Sequence, residues 1–183
     1  GVDTMKAVAF GRRGSNPARL ESFIITEELA PTVSLEDHCR DWPSQPPSLA
    51  LKRALIASVA DMAGRMHRGG VNHRDCYICH FLLHTAPPPT PQQLRLSLID
   101  LHRAQVRDRT PRRWRDKDLA ALHFSTLEIG LTAHDRLRFL RGYFGRPLRE
   151  VLVEEADLLA YLGREGERLM GRYLRKFAPR EGV

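Results

Sequence analysis

The chain has 183 residues, of which 42% are hydrophobic, 28% charged and 7% aromatic. That composition excludes a disordered or fibrous protein and suits one globular domain with a real core. The net charge of +7 predicts acidic partners, three cysteines are too few for a disulfide framework, and no stretch approaches the roughly 20 apolar residues of a membrane span.

The first predicted element is a short strand, Met5 to Gly11, ending in a Gly turn. Glu21 to Leu29 contains Phe23-Ile24-Ile25-Thr26, which reads as a buried strand pairing antiparallel with the first. Ser34, followed by Glu36 and Asp37, caps a short helix, and Trp42 to Ser48 is a Pro-rich loop. A long helix runs from Ser48 to about Arg68, with Leu49, Leu51, Leu55, Ile56, Val59, Met62, Ala63 and Met66 at helical spacing. Gly69-Gly70 stops it.

Val71-Asn72-His73-Arg74-Asp75 comes next, then the apolar run Phe81-Leu82-Leu83, then a proline-rich turn over 87–91. Leu94, Leu96 and Leu98 alternate as in a strand, and Leu98-Ile99-Asp100 closes the hairpin. One carboxylate therefore precedes the first strand and another follows the second. Beyond Asp100 the chain is basic: Arg103, Arg107, Arg109, Arg112, Arg113, Arg115 and Lys117. Helices are predicted from Asp116 or Asp118, from Thr132 to Gly145, and from Glu154 to Phe177, the last with Leu158, Leu162, Leu169, Tyr173 and Phe177 on one face.

Two aspartates flanking such a hairpin suit phosphoryl transfer. One carboxylate orients the attacking hydroxyl, and the other holds Mg²⁺ against nucleotide phosphates. In the kinase pattern H-R-D-x-x-x-x-N the Asn is a metal ligand. Here that position is His80, and Leu101-His102 replaces the usual Phe-Gly after the second Asp. Mg²⁺ prefers oxygen, so hydrogen bonding to Asp75 or to a phosphate is an alternative for His80.

The strings Phe23 to Leu29, Asn72 to Leu83 and Leu98 to Gln105 resemble the lipopolysaccharide core heptose(I) kinases, the WaaP family. The resemblance implies an α+β, protein-kinase-like fold: residues 1–30 as the end of the N-lobe and the hinge, and residues 31–183 as the helical C-lobe. It implies Asp75 as catalytic base, Asp100 as Mg²⁺ ligand and His80 as secondary metal or phosphate contact. Glu27 and Leu29 fall where the hinge meets adenine, while His73, Arg74 and Asp118 support the loop. The implied reaction uses ATP and Mg²⁺ to phosphorylate the first heptose of the inner core, on the cytoplasmic face of the inner membrane, with peripheral attachment. No Gly-rich loop or strand Lys precedes Val8, and the chain begins Gly1-Val2 without Met. The expectation is that the upstream N-lobe is missing and that this chain alone turns over little.

Arg103, Arg107, Arg112 and Arg113 are assigned to the acidic lipid A–core acceptor, because the segment after the metal Asp lines the acceptor site in kinases. An acidic protein such as an acyl carrier protein is a second partner that the charge would suit. Nucleic acid is not expected, given the few aromatics and the lack of a recognised motif. Asp118 is read as a brace for the catalytic loop or as a helix N-cap. Two rival readings remain. One is a non-catalytic kinase-like module binding an acidic partner. The other is a zinc or thiol-redox site at Cys76 and Cys79 with His73 and His80, disfavoured because all four lie within eight residues.

Overall fold

The computed structural model describes residues 1–177, so the last six residues of the expected 31–183 lobe lie outside the described residues. Strands β1 (Ala7–Arg13) and β2 (Glu21–Thr26) form an antiparallel hairpin. The pairing matches the sequence reading, but β2 is not buried: Phe23, Ile24 and Ile25 are each more than half exposed, as are Val8 and Phe10 opposite. Apolar, β-branched composition gives a strand its propensity, whereas burial needs a second layer. Among the described residues, the large side chains on both faces of this hairpin stay open.

β3 (Thr32–Ser34) then leads into α1 (Leu35–Cys39), with the Ser34 hydroxyl accepting from the Asp37 N–H at 3.0 Å. The next helix, α2 (Leu49–Arg68), is capped by Ser48 through the Leu51 N–H. It buries Leu55, Val59, Met62, Ala63 and Met66 along one stripe. Gly70 follows with φ +81, and a Cβ there would lie 1.9 Å from the Arg107 carbonyl, so the position requires glycine. That close approach lets β4 (Val71–Asn72) pair with β7 (Gln105–Val106).

Between them, β5 (Phe81–His84) and β6 (Leu96–Leu98) form the expected hairpin. β3 adds antiparallel to β5, and Thr4 bridges to Leu98 in parallel, so residues far apart in sequence complete this small sheet. Phe81, Leu83 and Leu98 are fully buried and pack with Leu55, Met62, Met66 and Leu122 in the main core. Each such side chain contributes on the order of 1.5–3 kcal/mol by leaving water. Ser97 is buried too, rather than alternating outward, and is satisfied by His84 Nε2 at 2.9 Å.

The rest is helical: α3 (Arg112–Ser125), α4 (Ala133–Phe144), α5 (Leu148–Glu154) and α6 (Ala156–Phe177). α4 carries a capping box, Thr132 with Asp135, and ends on Gly145 at φ +62. Its Asp135 also pairs with Lys52 of α2 at 2.9 Å, tying the two helices where both side chains are nearly buried. α3 starts at Arg112, earlier than the first acidic residue suggests. An apolar cavity of about 260 Å³ lies among these helices, lined by Leu55, Val59, Leu122, Phe139 and Leu159 but by neither Asp75 nor Asp100. No helix among the described residues is long and apolar enough to cross a membrane.

Candidate active site

The site grows from the turn after β4. Asn72 and His73 are fully buried, and the chain then makes a left-handed step at Arg74, φ 75, which an L-residue adopts only when held there. Asp118 holds it. This residue lies in the second turn of α3, not at its N-cap, and is 1% exposed. Its Oδ2 accepts from the His73 N–H at 2.6 Å and its Oδ1 from the Arg74 N–H at 2.8 Å. His67 Nε2 stands 3.2 Å from the same carboxylate, while its Nδ1 meets the Tyr143 hydroxyl at 2.7 Å. Burial pushes the Tyr143 phenol up, so it stays protonated and donates to that nitrogen.

Asp75 follows and is partly exposed. Arg103 Nη1 donates to both of its oxygens, at 2.8 and 2.9 Å. A carboxylate offers about four lone-pair sites, so this clamp fixes its orientation and leaves acceptor capacity on the outer side. Asp100 stands at the end of β6, also in a left-handed conformation, φ 63. His80 connects the two aspartates. Its Nδ1–H donates to the Asp75 carbonyl at 2.7 Å, and its Nε2 lies 3.2 Å from Asp100 Oδ2. His102 Nδ1 meets the other Asp100 oxygen. His73 stacks on His80 with ring centroids 5.4 Å apart and donates through Nε2 to the Ile99 carbonyl at 2.9 Å. Burial, offset in part by that carbonyl, lowers the His73 pKa, so the ring is neutral near pH 7.

When His80 donates through Nδ1, its Nε2 presents a lone pair toward Asp100 Oδ2. Two acceptors facing each other leave room for a donor or a cation between them. No group of three or more His, Cys, Asp or Glu side chains among the described residues is arranged to hold a metal. That argues against zinc at Cys76 and Cys79. Burial also pushes the Cys76 thiol well up, which suits a packed side chain and not a thiolate. Mg²⁺ needs no such cage, because it is commonly held by one or two carboxylates together with substrate phosphates.

The structure separates the remaining predicted residues. Glu27 is exposed and pairs with Lys6 at 2.7 Å, and the Leu29 carbonyl accepts from the Thr32 hydroxyl at 2.6 Å. Arg107 is half-buried and committed to the scaffold through Asn72 Oδ1 and Gln105 Oε1. Arg112 faces Asp116 and Glu155. Arg113 lies over the Trp114 ring. The sequence reading missed Trp114, which also draws in Arg74 and Lys117. Its only signal was a lone aromatic inside the basic run.

A hairpin opening and closing on an aspartate, set against a helical lobe, is the arrangement of a protein-kinase-like α+β fold. The comparisons agree: a solved structure of WaaP in complex with acyl carrier protein superimposes with TM-score 0.88 at 66% identity, covering 92% of this chain and 70% of that one. The chain belongs to the lipopolysaccharide kinase (Kdo/WaaP) family, which its residues 1–143 match. It is 66% identical over 172 residues to the lipopolysaccharide core heptose(I) kinase WaaP of Pseudomonas aeruginosa, covering 94% of this chain. It is 55% identical over 176 residues to the protein of the same name from Escherichia coli K12, covering 96%. The chain spans 64% and 66% of the length of these two relatives.

Proposed function

We propose that this chain carries the catalytic hairpin and helical lobe of an ATP-dependent kinase that phosphorylates the first heptose of the lipopolysaccharide inner core. The observation that carries the reading is the pairing of Asp75 and Asp100 through one imidazole, His80. The names of its relatives support the substrate. In this reading residues 1–30 end the N-lobe and form the hinge, with the backbone at Glu27 and Leu29 facing adenine.

The acceptor hydroxyl donates a hydrogen bond to the free side of Asp75, which orients it in line with the γ-phosphate. Asp75 takes its proton as the new O–P bond forms and the bond from the γ-phosphorus to the β–γ bridging oxygen breaks, releasing ADP. Arg103 keeps that carboxylate from rotating away. Asp118 fixes the loop from behind by consuming two backbone N–H groups. Asp100 is the residue for Mg²⁺, whose contribution when bound is to neutralise charge on the nucleotide phosphates. His80 has a positioning role, holding the loop through the Asp75 backbone carbonyl and facing the Asp100 carboxylate, since a hard cation prefers carboxylate oxygens to its nitrogen. The relative solved with acyl carrier protein, together with the +7 net charge, supports an acidic carrier protein as a partner. The same charge suits peripheral attachment to the anionic cytoplasmic face of the inner membrane.

Nucleotide titration of the full-length protein by calorimetry separates the two aspartates. Asp100→Asn is expected to weaken Mg·ATP binding by about tenfold or more, while Asp75→Asn binds it as wild type does. The opposite pattern would exchange their roles and overturn the assignment.

A further inference from the structure

Trp114 is half-buried in the first turns of α3, and three cationic side chains converge on its ring. The Lys117 ammonium lies 4.8 Å from the centroid, the Arg113 guanidinium 5.3 Å and that of Arg74 5.5 Å. Each gains a cation–π attraction, but the ring supplies no net charge to offset three positive ones. Among the described residues, none of the three makes an ion pair with a carboxylate, although their neighbours do. Arg115 is held by Asp116 and Glu155 and Arg112 by the same two acids. Glu165, the acid that feels Lys117, is bound first by Arg168.

Two further features work against stability at the same place. α3 begins with Arg112 and Arg113, no acid in its first turn and no side-chain cap, so positive charge sits at the positive end of the helix dipole. Arg74 is in the left-handed step that Asp118 enforces, and its side chain remains exposed while its guanidinium reaches the indole. Charge left uncompensated at a helix N-terminus, beside the loop that carries Asp75, fits an oxyanion as the missing counter-charge.

We propose that Arg74, Arg113 and Lys117, gathered on the indole of Trp114, bind a carboxylate or phosphate group of the acceptor away from the hydroxyl that reacts. The inference rests on the kinase reading above for the identity of the acceptor, but the oxyanion site stands on its own geometry. The site selects acidic glycans over neutral ones and sets the acceptor affinity, while Asp75 sets the chemistry. Arg113 and Lys117 are specificity residues that touch no reacting atom.

The test is a titration followed by indole emission. The protein has two tryptophans, and the Trp114 signal is the difference between wild type and Trp114→Phe. Galacturonate probes the carboxylate source, glucose 6-phosphate the phosphate source, and glucose serves as the neutral control. A saturable change with either acidic sugar and none with glucose is expected, and the tighter of the two names the oxyanion. In Arg113→Gln/Lys117→Gln the affinity should fall about tenfold or more with far-UV circular dichroism unchanged. In the full-length protein the same pair should raise the acceptor KM about tenfold and leave kcat within about twofold. No saturable change, an unchanged KM, or equal binding of glucose would overturn the site. Oxyanion binding in a protein that transfers no phosphate would keep the site and remove the kinase reading.

Discussion

Asp118 shows how one buried residue sets the geometry of the candidate site. It satisfies two backbone N–H groups at the left-handed step and faces a buried imidazole. Removing a partner from a buried donor costs about 1–3 kcal/mol. Asp118→Ala is therefore expected to destabilise the fold by about 3 kcal/mol, read as a lower urea midpoint with an unchanged slope. A variant as stable as wild type would show that the loop holds itself. At this scale the sequence was partly legible. Asp75, His80 and Asp100 were singled out by their spacing, and the fold brings them together. The clamp of Arg103 on Asp75 did not show, because it joins residues 28 apart through the folding of β7 and the turn before it. The cluster on Trp114 was legible only as an aromatic inside a basic run, since Arg113 and Lys117 are its near neighbours but Arg74 reaches it across the fold.

At the scale of elements, caps and glycines were the readable signals. Ser48, Gly69-Gly70, Thr132 and Gly145 bound α2 and α4 where the sequence places their ends. The start of α3 was misplaced because its first turn breaks the rule that acids favour an N-terminus. β3 was missed because three residues carry no period, and only pairing with β5 makes them a strand. The helices α2 and α4 are joined by Lys52 and Asp135. Burial opposes the Asp135 charge, but the Lys52 ammonium and the Thr132 N–H and hydroxyl outweigh it and hold the carboxyl at about 2. A carboxyl depressed in the folded state contributes stability above its unfolded value and loses it as pH falls through its folded value. The pH-dependent part of the wild-type advantage over Asp135→Asn is expected to be about 2 kcal/mol, constant above about pH 5 and shrinking from there toward pH 2. Unfolding titrations across that range check it, and an advantage that stays flat to pH 2 would contradict the pair.

For the molecule as a whole, composition correctly indicated a globular body with an ordinary core, the family resemblance implied the α+β fold, and the helices follow the predicted order. What composition could not tell was where apolar side chains go. The run Phe23-Ile24-Ile25 has the propensity of an interior strand and lies open, while Ser97, polar in sequence, is fully buried beside His84. Burial is a property of the neighbours a segment acquires, and a one-dimensional pattern contains only half of that information. The helices and the small sheet converge on one point, where the Asp75 carbonyl and the Asp100 carboxylate meet across His80. The direct measurement is phosphate transfer from labelled ATP to lipopolysaccharide lacking core phosphate, using the full-length protein as wild type and as Asp75→Asn. Robust transfer by wild type, reduced about a thousandfold or more in a folded mutant, is the predicted result. Equal transfer by the two proteins, or none from a folded wild type, would contradict it.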